Sequence, residues 1–179
     1  MDIVKDDYPR FVQYNLMNLI GSHDTSRIAN EIESIDAVHT KELTKMATLL
    51  EYSFIGIPTI FYGDEVGTKN LRYNISRTPY PWGRGDASLL YWFKRIGELR
   101  SLKSVVKGSY EIVENADGVI VVLRQKDEEK VYVICNNKDS EYKITMPEKY
   151  TEIVTGTSAP KKTFTVPPLG VLVLKNYLK

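Results

Sequence analysis

The arrangement of apolar positions along the chain changes near residue 104. Before that point, apolar runs alternate with stretches of helical periodicity, and after it short strand-like runs follow one another at close intervals. Such a change predicts two structural units. We expect an α/β region over residues 1–104 and an all-β region over residues 105–179.

The first region begins with a predicted strand and a predicted helix. Residues 16–20 form a short apolar run that ends at Gly21, as expected of a buried strand. From Thr40 onward, apolar residues recur at helical spacing until Gly56 and Pro58 stop the pattern. A helix of three to four turns is therefore predicted, with Thr40 as its N-cap.

A second strand, a long polar loop and a second helix are predicted next. Residues 57–62 (IPTIFY) are β-branched and aromatic on both faces, which is typical of a parallel strand covered on both sides. The polar stretch up to Gly85 is longer than most connections in a compact domain. Asp86 is predicted to cap a helix whose apolar stripe includes Leu89 and Phe93.

The second region predicts an antiparallel β-sandwich. Turn signals separate its apolar runs, notably residues 115–118 (NADG) and the charged residues 126–130, which we expect at a solvated hairpin tip. The predicted strands are YEIVE, VIVVLRQ, VYVICNN, YKITM, EIV, FTV and GVLVLK.

Composition and charge exclude several classes of function. The 179 residues are 42% hydrophobic and 26% charged, which is ordinary for a globular protein. The formal net charge of +1 predicts neither nucleic acid nor an anionic membrane as a partner. The single Cys135 is expected to be a small buried strand residue. No apolar stretch is long enough for a membrane span, and the first ten residues lack the apolar run of a signal peptide, so a soluble, cytoplasmic protein is expected.

Two polar clusters follow the two predicted strands of the first region. His23 and Asp24 come after the first strand, at the end where α/β proteins gather catalytic groups; a hydrogen-bonded pair that stabilises a turn is the alternative. Arg27 lies nearby and could bind a protein carboxylate or a substrate. The second cluster contains the adjacent carboxylates Asp64 and Glu65. Such carboxylates can be metal ligands, a general acid or base, or a loop staple, and the pattern leaves these open.

A third cluster, residues 77–82 (RTPYPW), combines a cation, two prolines and two aromatic rings. Rigid aromatic faces suit the apolar faces of sugar rings. A proline-rich loop packed on its own domain is the alternative.

Taken together and in this order, these segments are similar to the C-terminal part of an α-amylase-type enzyme of glycoside hydrolase family 13, particularly the maltogenic amylase, cyclomaltodextrinase and neopullulanase branch. The resemblance implies that residues 1–104 are the last two βα units of a (β/α)8 barrel and that residues 105–179 are a C-terminal antiparallel β-sandwich. The matching segments are NLIGSHDTSRI, GIPTIFYGDEVG, RTPYPW, IGELRSLKSVVKGSYEIV and TFTVPPLGVLVLK.

The resemblance also implies roles for individual residues. Asp24 resembles the family's third carboxylate, which binds sugar hydroxyls and stabilises the transition state as positive charge builds on the anomeric carbon. His23 resembles a neighbour that donates to the same sugar. Arg27, Arg77 and Tyr62 are expected to contribute to substrate binding, with Tyr62 in the wall of the site.

The chain departs from the family pattern in one loop, and the resemblance implies no metal site. The residues before Arg77, residues 72–76 (RYNIS), lack the Asp-Pro of the usual DPxNR segment. Calcium sites in this family vary and lie mostly in other parts of the barrel. We therefore assign no metal ligand and expect no cofactor.

Two further carboxylates that such chemistry requires are not found in this chain. Retaining glycosidases use a nucleophile and a general acid roughly 5 Å apart, and in this family both lie on earlier strands. A (β/α)8 barrel takes about 250 residues, more than residues 1–104 provide. Glu31 and Glu33 follow the first strand without a predictable orientation and offer no substitute. We expect the isolated chain not to hydrolyse glycosides.

These considerations predict the partners. We expect an α-glucan oligosaccharide as ligand, and either the missing N-terminal portion of the barrel or a second copy of the chain as protein partner, because an incomplete barrel exposes strand edges and an apolar face. One alternative is a noncatalytic carbohydrate-binding or accessory module with Tyr80 and Trp82 as stacking platforms. Another is a remnant with a structural role only.

Overall fold

A computed structural model describes residues 7–70, 77–156 and 159–177. Contacts between Cα atoms divide the chain into two units. The first, here called the α/β unit, is formed within Met1–Tyr52 and Gly56–Gly97, and the second, the sheet unit, within Ser53–Ile55 and Glu98–Lys179. The domain boundary near residue 104 stays a prediction.

The α/β unit has the predicted order of strand, helix and strand, but its strands are short. Strand β1 (Met17–Asn18) pairs in parallel with β2 (Ile57–Pro58), with Met17 opposite Ile57. The predicted strands covered residues 16–20 and 57–62. The second ends early because Phe61 O already accepts a hydrogen bond from Asp64 N, which begins a turn. The other elements of this unit are α1 (Arg10–Gln13), α2 (Ile28–Ile35), α3 (Thr40–Ser53), a 3-10 turn (Asp64–Val66) and α4 (Ala87–Gly97).

Helix α2 is absent from the sequence prediction. It buries Ala29 and Ile32 on one face, and it carries Glu31 and Glu33, which the sequence left without an orientation. The isoleucines at 28, 32 and 35 recur at helical spacing, so the signal was present, although the segment is short.

Helices α3 and α4 confirm the two predicted helices. They pack against each other through aromatic side chains. The Tyr52 and Phe93 rings meet edge to face with centroids 6.2 Å apart. Trp92 Nε1 donates to Thr48 Oγ1 at 3.0 Å in a buried contact. The carboxylate of Asp86 accepts hydrogen bonds from two backbone N–H groups of the first turn of α4, as its predicted capping role requires.

The sheet unit consists mainly of antiparallel strands. Its elements are a 3-10 turn (Glu98–Ser101), α5 (Lys103–Lys107), β3 (Ser109–Ala116), β4 (Val119–Lys126), β5 (Glu129–Asn136), β6 (Tyr142–Glu152), β7 (Lys161–Val166) and β8 (Gly170–Asn176). The strands form a six-stranded sheet in the order β3-β4-β5-β8-β6-β7.

One predicted strand is wrong, whereas both predicted turns are present. Residues 152–154 (EIV) form no separate strand, because β6 continues to Glu152 after a register break between Thr145 and Tyr150. The turn before β4 has Asp117 and Gly118 at positive φ, and the turn before β5 has Asp127 at positive φ.

The register break in β6 explains how this sheet forms a core. Residues before the break pair with β7 alone, whereas after it Tyr150 pairs with both β7 and β8 and the next two residues pair with β8. A break of this kind bends the strand, so both sections contribute to one apolar cluster. The cluster consists of Val119, Val121, Ile134, Met146, Tyr150, Phe164, Val166, Leu172 and Leu174.

Cys135 lies buried in β5, as predicted. Burial raises the pKa of its thiol to about 12, so the thiol stays protonated near neutral pH. No helix in the part of the chain that the structure describes is both long and apolar enough to cross a membrane.

Candidate functional site

Asp24 lies in a tight turn between β1 and α2. Ser22 and Thr25 form this turn, since Ser22 N donates to Thr25 Oγ1 at 3.2 Å and Asp24 N donates to Ser22 Oγ at 3.2 Å. The backbone is therefore fixed while the Asp24 side chain remains 72% exposed. The turn presents a carboxylate to solvent just beyond a parallel strand.

Two basic side chains flank this carboxylate. His23 Nε2 lies 3.1 Å from Asp24 Oδ2, and an Arg77 guanidinium nitrogen lies 3.8 Å from Asp24 Oδ1. His23 and Arg77 are themselves more than half exposed. The structure thus brings together three of the residues that the sequence proposed, although Arg77 lies far from Asp24 along the chain.

Tyr62 fastens the loop that carries Arg77. Its hydroxyl donates to Thr78 O at 2.8 Å, and its ring is 41% exposed. Because Thr78 follows Arg77 directly, this bond holds the Arg77 loop beside the end of β2. Residues 72–76, where the departure from the family pattern lies, are outside the described residues.

Arg27 occupies a different environment, because it is fully buried. Its Nη1 donates to Tyr62 O at 2.7 Å and to Asp64 Oδ1 at 2.9 Å, and its guanidinium lies over the Phe61 and Tyr62 rings at 4.6 and 4.9 Å from their centroids. This geometry makes Arg27 a support for the segment after β2. Direct contact of Arg27 with a substrate stays a prediction.

The carboxylate of Asp64 pairs with Arg27 and thereby stabilises the loop after β2, which is one of the roles that the sequence left open for it. Burial raises its pKa to about 6, while the Arg27 guanidinium acts in the opposite direction and the Glu65 carboxylate adds to the rise. Gly21 leaves room for this carboxylate, because a Cβ there would overlap it unless the Asp64 side chain moved. The sequence alone did not identify Asp64 as the partner of Arg27.

Tyr80 and Trp82 form an aromatic pair farther along the same loop. Their ring centroids are 4.6 Å apart, and Trp82 is 82% exposed. The pKa of Tyr80 is raised by burial and by its hydrogen bond to the Glu65 carboxylate. Glu65 in turn accepts a hydrogen bond from Gly63 N at 2.8 Å. The loop therefore offers an open aromatic face as well as Arg77.

No group of three or more His, Cys, Asp or Glu side chains among residues 7–70, 77–156 and 159–177 is arranged to hold a metal ion. The chemistry that the cluster offers is that of an exposed carboxylate flanked by a histidine and an arginine, with an aromatic pair farther along the Arg77 loop.

Comparison with protein families finds one match in each unit. Residues 4–88 match the family described as alpha amylase, catalytic domain, and residues 118–176 match the β-galactosidase C-terminal domain. An amylopullulanase from Thermoanaerobacter thermohydrosulfuricus is 35% identical over 58% of this chain and 8% of its own length. A cyclomaltodextrinase from a Bacillus species is 28% identical over 73% of this chain and 23% of its own length.

Among solved structures, α-amylase from Geobacillus thermoleovorans superposes with a TM-score of 0.79 at 20% identity, over 97% of this chain and 41% of that one. The fold is therefore the C-terminal portion of a (β/α)8 barrel followed by a β-sandwich, as predicted. The chain resembles the C-terminal part of an α-amylase-family enzyme, and this predicted resemblance is confirmed. It spans less than a quarter of the length of the two curated relatives named above.

Proposed function

We propose that this chain is part of an α-amylase-type glycoside hydrolase that acts on α-glucans, and that Asp24 is its transition-state-stabilising carboxylate. The observation that carries the proposal is the exposed Asp24 carboxylate just beyond a parallel strand, between His23 and Arg77. It lies within the segment that matches the α-amylase catalytic domain. The names of the relatives, cyclomaltodextrinase and neopullulanase among them, support α-glucans as the substrate class.

The chemistry follows from the charge that develops during glycoside cleavage. The anomeric carbon becomes positive in an oxocarbenium-like transition state. A carboxylate that accepts hydrogen bonds from neighbouring sugar hydroxyls binds more strongly as that charge grows. In the proposed role, Asp24 accepts these bonds while His23 and Arg77 hold the carboxylate and donate to the same sugar.

The proposal includes the expectation that this chain alone does not hydrolyse glucans. A retaining reaction needs a nucleophile and a general acid about 5 Å apart. The carboxylates after β2 are already engaged, Asp64 by Arg27 and Glu65 by Gly63 N. We propose that the remaining strands of a barrel, in another polypeptide or in a longer form of the protein, supply the two groups.

The strands of the α/β unit support such a partner. The two strands pair with each other over two residues each, and apolar side chains on and near these strands are exposed. A second copy of the chain would cover this surface without supplying the missing carboxylates. The exposed side chains are Met17, Leu19, Ile57 and Ile60.

A calorimetric titration with maltoheptaose tests the role of Asp24. We expect Asp24→Asn to weaken binding about tenfold, because it removes a charged acceptor. Asp127→Asn, which removes an equally exposed aspartate from a turn of the sheet unit, should leave binding unchanged. Equal affinity of Asp24→Asn and the wild type would reject the proposed site.

A second function, noncatalytic binding of carbohydrate, is favoured by one observation, the open Tyr80–Trp82 pair. Under this alternative, Trp82→Ala abolishes maltoheptaose binding whereas Asp24→Asn retains it. Under the main proposal, the Tyr80→Ala/Trp82→Ala double variant still binds.

A further inference from the structure

A cavity in the sheet unit is lined by four cationic side chains, Arg100, Lys103, Lys107 and Lys126. Its volume is about 300 Å³, and Leu102 and Val106 give it an apolar lining. None of these residues belongs to the candidate site described above. The cavity thus combines cationic and apolar lining residues.

The three lysines of this cavity are only weakly compensated by carboxylates of the described residues. Lys103 and Lys107 lie four positions apart on α5, and within the described residues neither forms a salt bridge. Lys126 lies 3.8 Å from the exposed Asp127 carboxylate, a pair of the kind that contributes little in water.

The carboxylate of Glu129 interacts with Ser104 and Lys175, which do not line the cavity. Glu129 accepts a hydrogen bond from Ser104 N at 2.8 Å, and Lys175 lies 3.3 Å from it. Like charges that share one cavity repel each other, so an anion that enters it gains the attraction of several cations at once.

We propose that this cavity binds a phosphate ester carried by a single sugar unit. A phosphate monoester has about −1.5 to −2 charges at neutral pH and several acceptor oxygens, which suits a cavity lined by lysine side chains. The apolar lining residues suit the apolar face of a sugar ring, and the volume lies at the small end of ligand pockets. The ligand is either a free sugar phosphate or a phosphorylated residue of a glucan.

Titration of the full chain with glucose 6-phosphate at low ionic strength tests this proposal. We expect saturable binding that the Lys103→Gln/Lys107→Gln double variant weakens about tenfold, since it removes charged donors. The control Lys143→Gln/Lys149→Gln removes two exposed lysines of β6 and should bind like the wild type. Equal weakening by both double variants, or no saturable binding, overturns the proposal.

Simpler probes test the two parts of the ligand. Glucose alone should not bind, and inorganic phosphate should bind more weakly than glucose 6-phosphate. If inorganic phosphate binds as tightly, the sugar is not recognised and the proposal is overturned in favour of a bare anion site. Maltoheptaose phosphorylated on one glucose unit, compared with the free sugar phosphate, distinguishes the two sources of the ligand.

The proposal is independent of the candidate site in the α/β unit. Asp24→Asn should therefore bind glucose 6-phosphate as the wild type does. Loss of this binding in Asp24→Asn would place the ligand in the α/β unit and reject the basic cavity as its site.

Discussion

The two units of this chain cover their strands to different degrees. In the sheet unit, β4, β5 and β8 have a neighbour on both edges, and Val122, Val131 and Val133 are almost completely inaccessible. In the α/β unit, β1 and β2 are paired with each other over two residues, and Met17 and Ile57 are 64% and 48% exposed. Antiparallel hairpins complete a core from nearby segments, whereas parallel strands depend on strands brought from elsewhere by long crossovers.

Within the described residues, each unit also buries one arginine, and the two arginines have different partners. Arg27 has a carboxylate partner, Asp64, and lies over two aromatic rings. Arg124 donates to backbone carbonyls of Ser53, Phe54, Gly108 and Ser109. The first arrangement supports a segment beside the candidate site, and the second fastens residues 53–54 to the sheet.

The largest expected effect tests how complete the sheet core is. Ile134→Ala should cost about 2–5 kcal/mol of unfolding free energy, because it leaves a cavity in the core. Ile57→Ala, at a half-exposed position of β2, and Ile112→Ala, at a half-exposed position of β3, should each cost less than about 1 kcal/mol. Urea denaturation measures all three. An equal loss for Ile57→Ala would mean that β2 is covered in solution.

A second test concerns the buried cation of the sheet unit. Arg124→Met should lower the unfolding free energy by about 2–3 kcal/mol, because buried carbonyls lose their donors. Arg124→Lys retains the charge but not the planar set of donors, and should recover only part of the loss. If urea denaturation finds Arg124→Met as stable as the wild type, these hydrogen bonds do not fasten the segment.

The α/β unit should respond to pH through its buried carboxylates. Burial, with a smaller contribution from Asp64, raises the pKa of Glu51 from 4.5 to about 7. A carboxyl whose pKa is higher in the folded state binds its proton more tightly there, so stability rises as the pH falls from about 7 toward 5. We expect Glu51 to contribute a gain of about 2 kcal/mol and Asp64, whose pKa is raised to about 6, a smaller one, both measured by urea denaturation at several pH values.

Two variants test the source of that pH dependence. Glu51→Gln should remove most of it, and Glu42→Gln, an exposed position on the same helix, should leave it unchanged. A wild type that loses stability between pH 7 and pH 5 would contradict the assignment.

The smallest expected effect concerns the start of α4. Asp86→Ala should cost about 1 kcal/mol, because Ser88 N and Leu89 N lose their acceptor. Asp86→Asn keeps an acceptor oxygen but loses the salt bridge to Lys41, and should cost less. Thermal unfolding followed by circular dichroism compares the two. An alanine variant as stable as the asparagine variant would show that the cap contributes nothing.

Local patterns predicted helices better than strands in this chain. Helices α3 and α4 carry apolar stripes over three or more turns and clear end signals, so they were found. Residues 16–20 and 57–62 are as apolar as long strands, yet each contributes only two residues to a ladder. A strand's length is set by its neighbours, and these are not encoded in the segment itself.

The sequence by itself determined helices α3 and α4, the change from α/β to all-β structure, the resemblance to α-amylases and the position of Asp24 beyond a strand. Only the tertiary structure showed that Arg77 lies beside Asp24 and that Arg27 forms a buried pair with Asp64. It also showed that four cationic side chains line one cavity in the sheet unit. The physical reason is that periodicity and capping act within a few residues. Burial, ion pairing and cavity lining depend on residues far apart along the chain.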